Sequence, residues 1–251
     1  MVHRRLRPLM GTFVEIQIHD EFPNEDLVNA FLNSVFDHGL SLEKIFNRFD
    51  PASALSFYKA KQESTHPLLS KLLEISQRIT ELSSGAFSYL DPSSGELDLN
   101  GIAKGFVVDQ LVEFILSQKP DCSGTINAGG DLRFFNSPTR TAQLRLGDYR
   151  NPVFRDWRLH HDAVATSAMN LSMMDEHSST TYHQRSRAAL GPNFSVVVTA
   201  DHCCIADALT KVGLFAEPEL IQACSTALQA STVVFDALGN PLEIYAPQSQ
   251  A

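Results

Sequence analysis

The sequence predicts an α+β protein: long helices packed on a mostly antiparallel sheet, in one domain spanning residues 1–251. Three observations carry that expectation. Apolar residues recur with a two-residue period near both ends of the chain. Between those ends they recur at helical spacing. No linker, low-complexity tract or repeat of solenoid length divides the chain.

Taken in order, Thr12–His19, "TFVEIQIH", alternates apolar and polar residues and predicts a strand. From Asn24 to about Asp50 the spacing is helical, with Val28, Phe31, Leu32, Val35, Leu42, Ile45, Phe46 and Phe49 recurring at that interval. Asn24 is the predicted cap, and Glu25 and Asp26 suit the positive end of the helix dipole. Gly39 is expected to break this helix in two, and Pro51 to end it by forcing Asp50 out of helical geometry. A second helix runs from about Pro67 to Leu82 and closes at Ser83–Gly85. A third spans Ala103 to about Ser117, with Phe106, Val107, Leu111, Phe114 and Ile115 inward. "GTINAGGDLRFF" then reads as strand, glycine turn, strand.

Short strands and turns fill Arg140–Ala168, whereas the polar segment Leu171–Gly191 matches no period. Phe194–Ala200 is a buried strand, "HCCIADALTKVGLF" a helix, and Leu220–Ala227 a shorter one. Strands at Ser231–Asp236 and Leu242–Tyr245 complete the chain.

Composition narrows the function. The formal charge is −9 with no basic stripe, which argues against nucleic acid as a partner. No run of about 18 apolar residues occurs, so no membrane span is expected. Arg4, Arg5 and Arg7 resemble the start of an export signal, but Glu15, Gln17 and Asp20 interrupt the apolar stretch that such a signal needs. Cys122, Cys203, Cys204 and Cys224 suit neither zinc nor a disulfide framework. Reduced buried thiols and a cytoplasmic location are expected.

Four segments carry candidate chemistry: "MGT" at Met10–Thr12, "DLNGIAKGFVVD" at Asp98–Asp109, "NAGGD" at Asn127–Asp131 and "ADALT" at Ala206–Thr210. Each alone reads more simply as a turn or a solvated helix edge. Together they offer glycines that admit a ligand to the backbone, a helix start that attracts phosphate, and a lysine beside it. Asp207 and Thr210 share a helix face and present hard oxygen donors suited to magnesium.

In this order the segments resemble the ApbE family, the FAD:protein FMN transferases, over most of the chain. The matching stretches are "MGT", "NRFDPASA", "NGIAKGFVVD", "NAGGD", "VATSAM" and "ADALTK". The resemblance implies magnesium-dependent transfer of FMN from FAD to a Ser or Thr hydroxyl of an acceptor flavoprotein, with release of AMP. It implies that the Ala103 carbonyl, the Asp207 carboxylate and the Thr210 hydroxyl hold Mg2+. It likewise places Met10, Gly11, Thr12, Lys104, Asp109, Gly129, Gly130 and Asp131 around the dinucleotide, with Lys104 and Asp207 as catalytic groups.

The sequence departs from the family pattern in several places. "TTYHQRSRAALG" stands where the family has "HIxDPxTG", with His183 as the remaining histidine. Ala168 replaces a glycine and Ala54 a glutamate. Thr210 lies three residues after Asp207 rather than four, and Lys211 occupies the fourth position. That spacing favours an Asp207–Lys211 ion pair, which competes with or replaces one metal charge. Two alternatives therefore stand beside transfer: a noncatalytic FAD-binding paralogue, and hydrolysis of FAD to FMN and AMP.

The remaining notable side chains have plainer readings. His160 and His161 are expected on a strand surface, and Met169, Met173 and Met174 in packing or a loop. Cys203 and Cys204 read as small buried side chains. Trp157 is left between packing and stacking on an aromatic ligand.

Overall fold

The computed structural model describes residues 1–61, 66–91, 94–147, 152–168 and 194–247. β1 (Val2–Leu9) and β2 (Thr12–His19) form an antiparallel hairpin in which Leu9 faces Thr12. β1 was not expected as a strand, because its alternate positions are arginines rather than apolar residues. Arg5 and Arg7 reach the Asn33 amide oxygen of the following helix at 2.7 and 2.6 Å. Polar pairing thus takes the place of an apolar face.

That helix, α1 (Glu25–Phe46), starts as expected: the Asn24 side chain accepts the Leu27 N–H at 2.9 Å. It is continuous, however, and Gly39 does not break it. Gly39 serves packing, since a Cβ there would lie 2.7 Å from a methyl of Leu9. An unforeseen short helix, α2 (Ala54–Lys61), comes after Pro51. Its weak amphipathic pattern hid it. α3 (Pro67–Leu82), α4 (Ala103–Gln118), β3 (Ser123–Ala128) and β4 (Asp131–Phe135) keep the expected order. Next come β5 (Thr141–Leu146), β6 (Val153–Arg158), β7 (Ala163–Ala168) and β8 (Ser195–Ala200). α5 (Cys203–Phe215), α6 (Pro218–Ala227), β9 (Ser231–Phe235) and β10 (Pro241–Tyr245) end the described chain.

Among the described residues eight strands form one sheet in the order β1-β2-β3-β4-β7-β8-β9-β10, each neighbouring pair antiparallel. The architecture is the expected α+β arrangement. The helices cover one face, where Ile16, Phe106, Leu111, Val196 and Leu209 belong to one buried cluster. The β5–β6 hairpin covers part of the other, closing Phe134, Leu144, Val197 and Phe235 into a second cluster. β8 lies between both layers, so every residue from Ser195 to Ala200 is buried. This is why "SVVVTA" reads as a continuous apolar run rather than an alternating one. Among the described residues no helix is long and apolar enough to cross a membrane.

α4 and α5 touch backbone to backbone. A Cβ on Gly105 would fall 2.5 Å from the Cys203 carbonyl oxygen. The main chain cannot yield there as a flexible side chain could. Gly105→Ala should therefore destabilise the protein by about 1–3 kcal/mol. Urea denaturation measures this, and an unchanged midpoint would show that the two helices do not meet so closely.

Candidate functional site

Two tight turns begin the site. Met10–Gly11 joins β1 to β2 and Gly129–Gly130 joins β3 to β4. All four residues have positive φ, of 53, 70, 65 and 108°, as a two-residue hairpin with matching twist requires. Because Val14 pairs with Ala128, the two tips lie side by side at one end of the sheet. Gly129 is held to glycine twice over, since a Cβ would also sit 2.6 Å from the Thr12 hydroxyl. Glu43 accepts the Met10 N–H at 2.8 Å, and the Asn127 side chain accepts the Gly130 N–H at 2.9 Å. Each tip thereby has a fixed backbone.

Beside these tips opens a cavity of about 880 Å³, closed by the C-terminal end of α1, residues 97–100 and the start of α4. Met10, Gly11, Thr12, Ala103, Lys104 and Gly129 line it. Glu43, Arg48, Phe49, Asp98 and Asn100 also line it. Phe49 is 80% exposed, and the Arg48 guanidinium sits 4.8 Å from its ring centroid. Arg48 and Phe49 fall inside "NRFDPASA", but nothing in their spacing assigned them chemistry. Glu43 was hidden as one more polar residue of a long helix.

Lys104 is the cation in the wall. Its ammonium lies 2.5 Å from the Asp131 carboxylate, with the lysine side chain 35% and the aspartate side chain 6% exposed. Burial opposes the lysine charge, but Asp207 and Asp131 outweigh it and hold the pKa above the ordinary lysine value. Burial and the neighbouring Asp207 push the Asp131 carboxyl up to about 6, against the pull of Lys104 and Lys211. Gly130 and Asp131 are not among the residues that line the cavity, and Asp131 pairs with Lys104, which is.

Asp207 and Thr210 lie behind that wall, 1% and 0% exposed. The Gly105 N–H donates to one Asp207 carboxylate oxygen at 3.4 Å. Part of the α4 N-terminus, expected to attract phosphate, thus already faces an internal anion. Lys211 donates to the other Asp207 carboxylate oxygen and, at 3.0 Å, to the Asp207 carbonyl. Thr210 donates to that same carbonyl at 2.7 Å and meets the Ser167 hydroxyl of β7 at 2.8 Å.

Of the magnesium set expected from Ala103, Asp207 and Thr210, two members are therefore engaged within the protein. An ammonium holds the carboxylate, and the hydroxyl is committed to protein partners. Among the described residues no three His, Cys, Asp or Glu side chains gather where they could hold a metal ion. A divalent cation does not fit the side chains as they stand.

Asp109, expected beside the dinucleotide, does not reach the cavity. Its carboxylate accepts the Cys203 and Cys204 N–H groups at 2.8 and 2.9 Å and pairs with Arg133 at 2.7 Å. It caps α5 from α4, a role that needs a buried acid at that position. Burial and the nearby Asp109 charge also push the Cys203 and Cys204 thiols upward, so both are inert packing groups. Trp157 packs edge-on to Phe235, with centroids 5.5 Å apart, away from the cavity. His161 pairs with Asp201 at 3.0 Å and His160 is exposed. His183, Met169, Met173 and Met174 lie outside the described residues.

The family model described as "ApbE family" matches residues 89–235. No curated protein matches the chain. Among solved structures, the chain is similar to the flavin transferase ApbE from Vibrio cholerae, with a TM-score of 0.72 and 16% identity. That match covers 99% of this chain and 98% of the other. An ApbE protein from Thermotoga maritima MSB8 matches with a TM-score of 0.69 and 17% identity, covering 99% and 98%. The Pseudomonas stutzeri flavinyl transferase ApbE gives 0.67 and 14%, covering 99% and 95%.

Two measurements probe the site's framework. Asp109→Ala leaves Arg133 and two buried amides without their acceptor, and should cost on the order of 3 kcal/mol in chemical denaturation. An effect below about 1 kcal/mol would mean that the cap does not hold α5. Asp131 has a raised carboxyl pKa, so it favours the folded state most below the unfolded value of 3.8 and loses that contribution as pH rises through about 6. Across this window the wild type should lose stability with rising pH relative to Asp131→Asn. Parallel curves for the two proteins would refute the shift.

Proposed function

The chain belongs to the ApbE family, and from that premise we propose that its cavity takes FAD and that its activity is flavin transfer. In this reading one domain over residues 1–251 moves FMN from FAD to a Ser or Thr hydroxyl of an acceptor flavoprotein. The acceptor oxygen forms a bond to the FMN phosphorus, the pyrophosphate P–O bond breaks, and AMP leaves with the bond electrons. The hydroxyl proton passes to solvent. Two glycine turns and Lys104 lining one cavity are the observation that carries the reading. They place a close-approach backbone and a full positive charge together, as a pyrophosphate requires.

The side chains around the cavity have separate tasks here. Lys104, steadied by Asp131, binds the pyrophosphate and offsets the charge that grows on the departing AMP oxygen. Arg48 supplies a second cation at the mouth. The exposed Phe49 ring is a platform for one of the two aromatic systems of FAD. Met10–Thr12 and Gly129 shape the wall against which the ligand rests. Magnesium, expected from the resemblance, has no part in these steps because Lys211 holds the Asp207 carboxylate. The reduced, buried state of the four cysteines supports a cytoplasmic location.

One observation favours a second reading. With Lys211 on Asp207, the site resembles a nucleotide holder more than a phosphoryl-transfer centre, so a noncatalytic FAD-binding role stands beside transfer.

Incubating the protein with FAD and an acceptor peptide separates the outcomes. Transfer predicts stoichiometric AMP and an FMN-sized mass on the peptide. AMP without labelling means hydrolysis, and retained FAD without AMP means binding alone. Lys104→Ala should weaken FAD binding at least tenfold, about 1.4 kcal/mol. Equal affinities for the two proteins would remove the nucleotide from this cavity.

A further inference from the structure

We infer that Lys211 stands in for a divalent cation, so that the charge cluster behind the cavity is complete without metal. The inference rests on how four side chains from three elements meet. Asp131 and Asp207 are 4% and 1% exposed, and they are close enough for Asp207 to disfavour the ionised form of Asp131. Two such carboxylates need about two positive charges nearby, because neither can shed its charge into water. One bridging divalent ion would supply them. Here two ammonium groups do: Lys104 from the start of α4 sits on Asp131, and Lys211 from α5 sits on Asp207.

Helical geometry makes Lys211 specific to the task. It lies four residues after Asp207, on the same face, in the acid-first order that best aligns the pair. Its ammonium touches both a carboxylate oxygen and the main-chain carbonyl of Asp207. It is therefore anchored at two points, with its side chain only 16% exposed. The other Asp207 carboxylate oxygen accepts the Gly105 amide. An entering divalent ion would have to displace an ammonium from a buried carboxylate and share the space with a second ammonium on Asp131. A metal ion that needs hard oxygen donors finds them already committed.

The arrangement is also reversible in principle. Removing the Lys211 charge while keeping the rest leaves a net negative cluster with the Thr210 and Ser167 hydroxyls beside it. Such a cluster should gain affinity for a divalent ion.

Mn2+ is the probe, titrated without nucleotide and followed by electron paramagnetic resonance. This readout is independent of whether the cavity takes FAD. The wild-type protein should show no saturable binding up to millimolar Mn2+. Lys211→Thr should bind at least tenfold more tightly than wild type, and Lys211→Thr/Asp207→Asn should lose that gain. Circular dichroism establishes that each variant is folded. If Lys211→Thr does not fold, Lys211→Gln, close in length and uncharged, takes its place. Binding by wild type that equals the variant's would overturn the inference. So would the absence of binding in a folded, Lys211-neutralised variant.

Discussion

A single buried carboxylate, Asp109, orders the region on which the site depends. It leaves the middle of α4, accepts the first two amides of α5, and is balanced by Arg133 of β4. Two helices and the sheet are thereby tied at one point that is almost free of water. The Gly105 contact lies beside that tie, where the two helix backbones come within a side chain's width. Lys104 sits one residue before Gly105, and Asp207 three to four residues after the capped amides. Their positions relative to each other depend on the tie. An acid near a cavity is readily taken for a ligand contact, yet this one is committed to the frame.

Charge balance in this frame is local. The chain as a whole is acidic, at −9, but the cavity lining sets Lys104 and Arg48 beside Glu43 and Asp98, and the space behind it pairs Asp131 and Asp207 with lysines. Burial makes such pairing obligatory rather than optional. In water each of these ion pairs would be worth little. Enclosed, an unmatched partner would be expensive enough to reshape the region.

Much of the fold was legible because packing writes itself into periodicity. α1, α3, α4 and α5 have apolar positions at helical intervals, and β2 and β3 alternate. β1 was missed because arginines fill its alternate positions and pair with α1 instead of burying apolar surface. α2 was missed because its eight residues carry almost no amphipathic signal. In the site, the glycine turns and Lys104 stood out as motifs, and they do line one cavity. The cap made by Asp109 could not be read from the sequence, since a buried cap and a ligand contact demand the same residue type. Lys211 could be, because the partner lay only four residues away on one helix. Glu43 enters the cavity through tertiary proximity alone, and Arg48 and Phe49 lie within "NRFDPASA" without a spacing that assigned them chemistry.

The order of the strands carries a consequence for how the protein is made. β1, β2, β3 and β4 are neighbours in the sheet in the order in which they are synthesised, and β1–β2 and β3–β4 close through two-residue turns. Such local pairings form early and quickly. The Asp109–Cys203 contact spans 94 residues, and the Gly105–Asp207 contact spans 102. Closing loops of that length is slow, and it must wait until the C-terminal part of the chain has left the ribosome. Both glycine tips can thus exist on a nascent chain that has no finished pocket. The lining of the cavity lies entirely between Met10 and Gly129, so its residues are all synthesised before α5, whose docking then ties down the wall that carries Lys104.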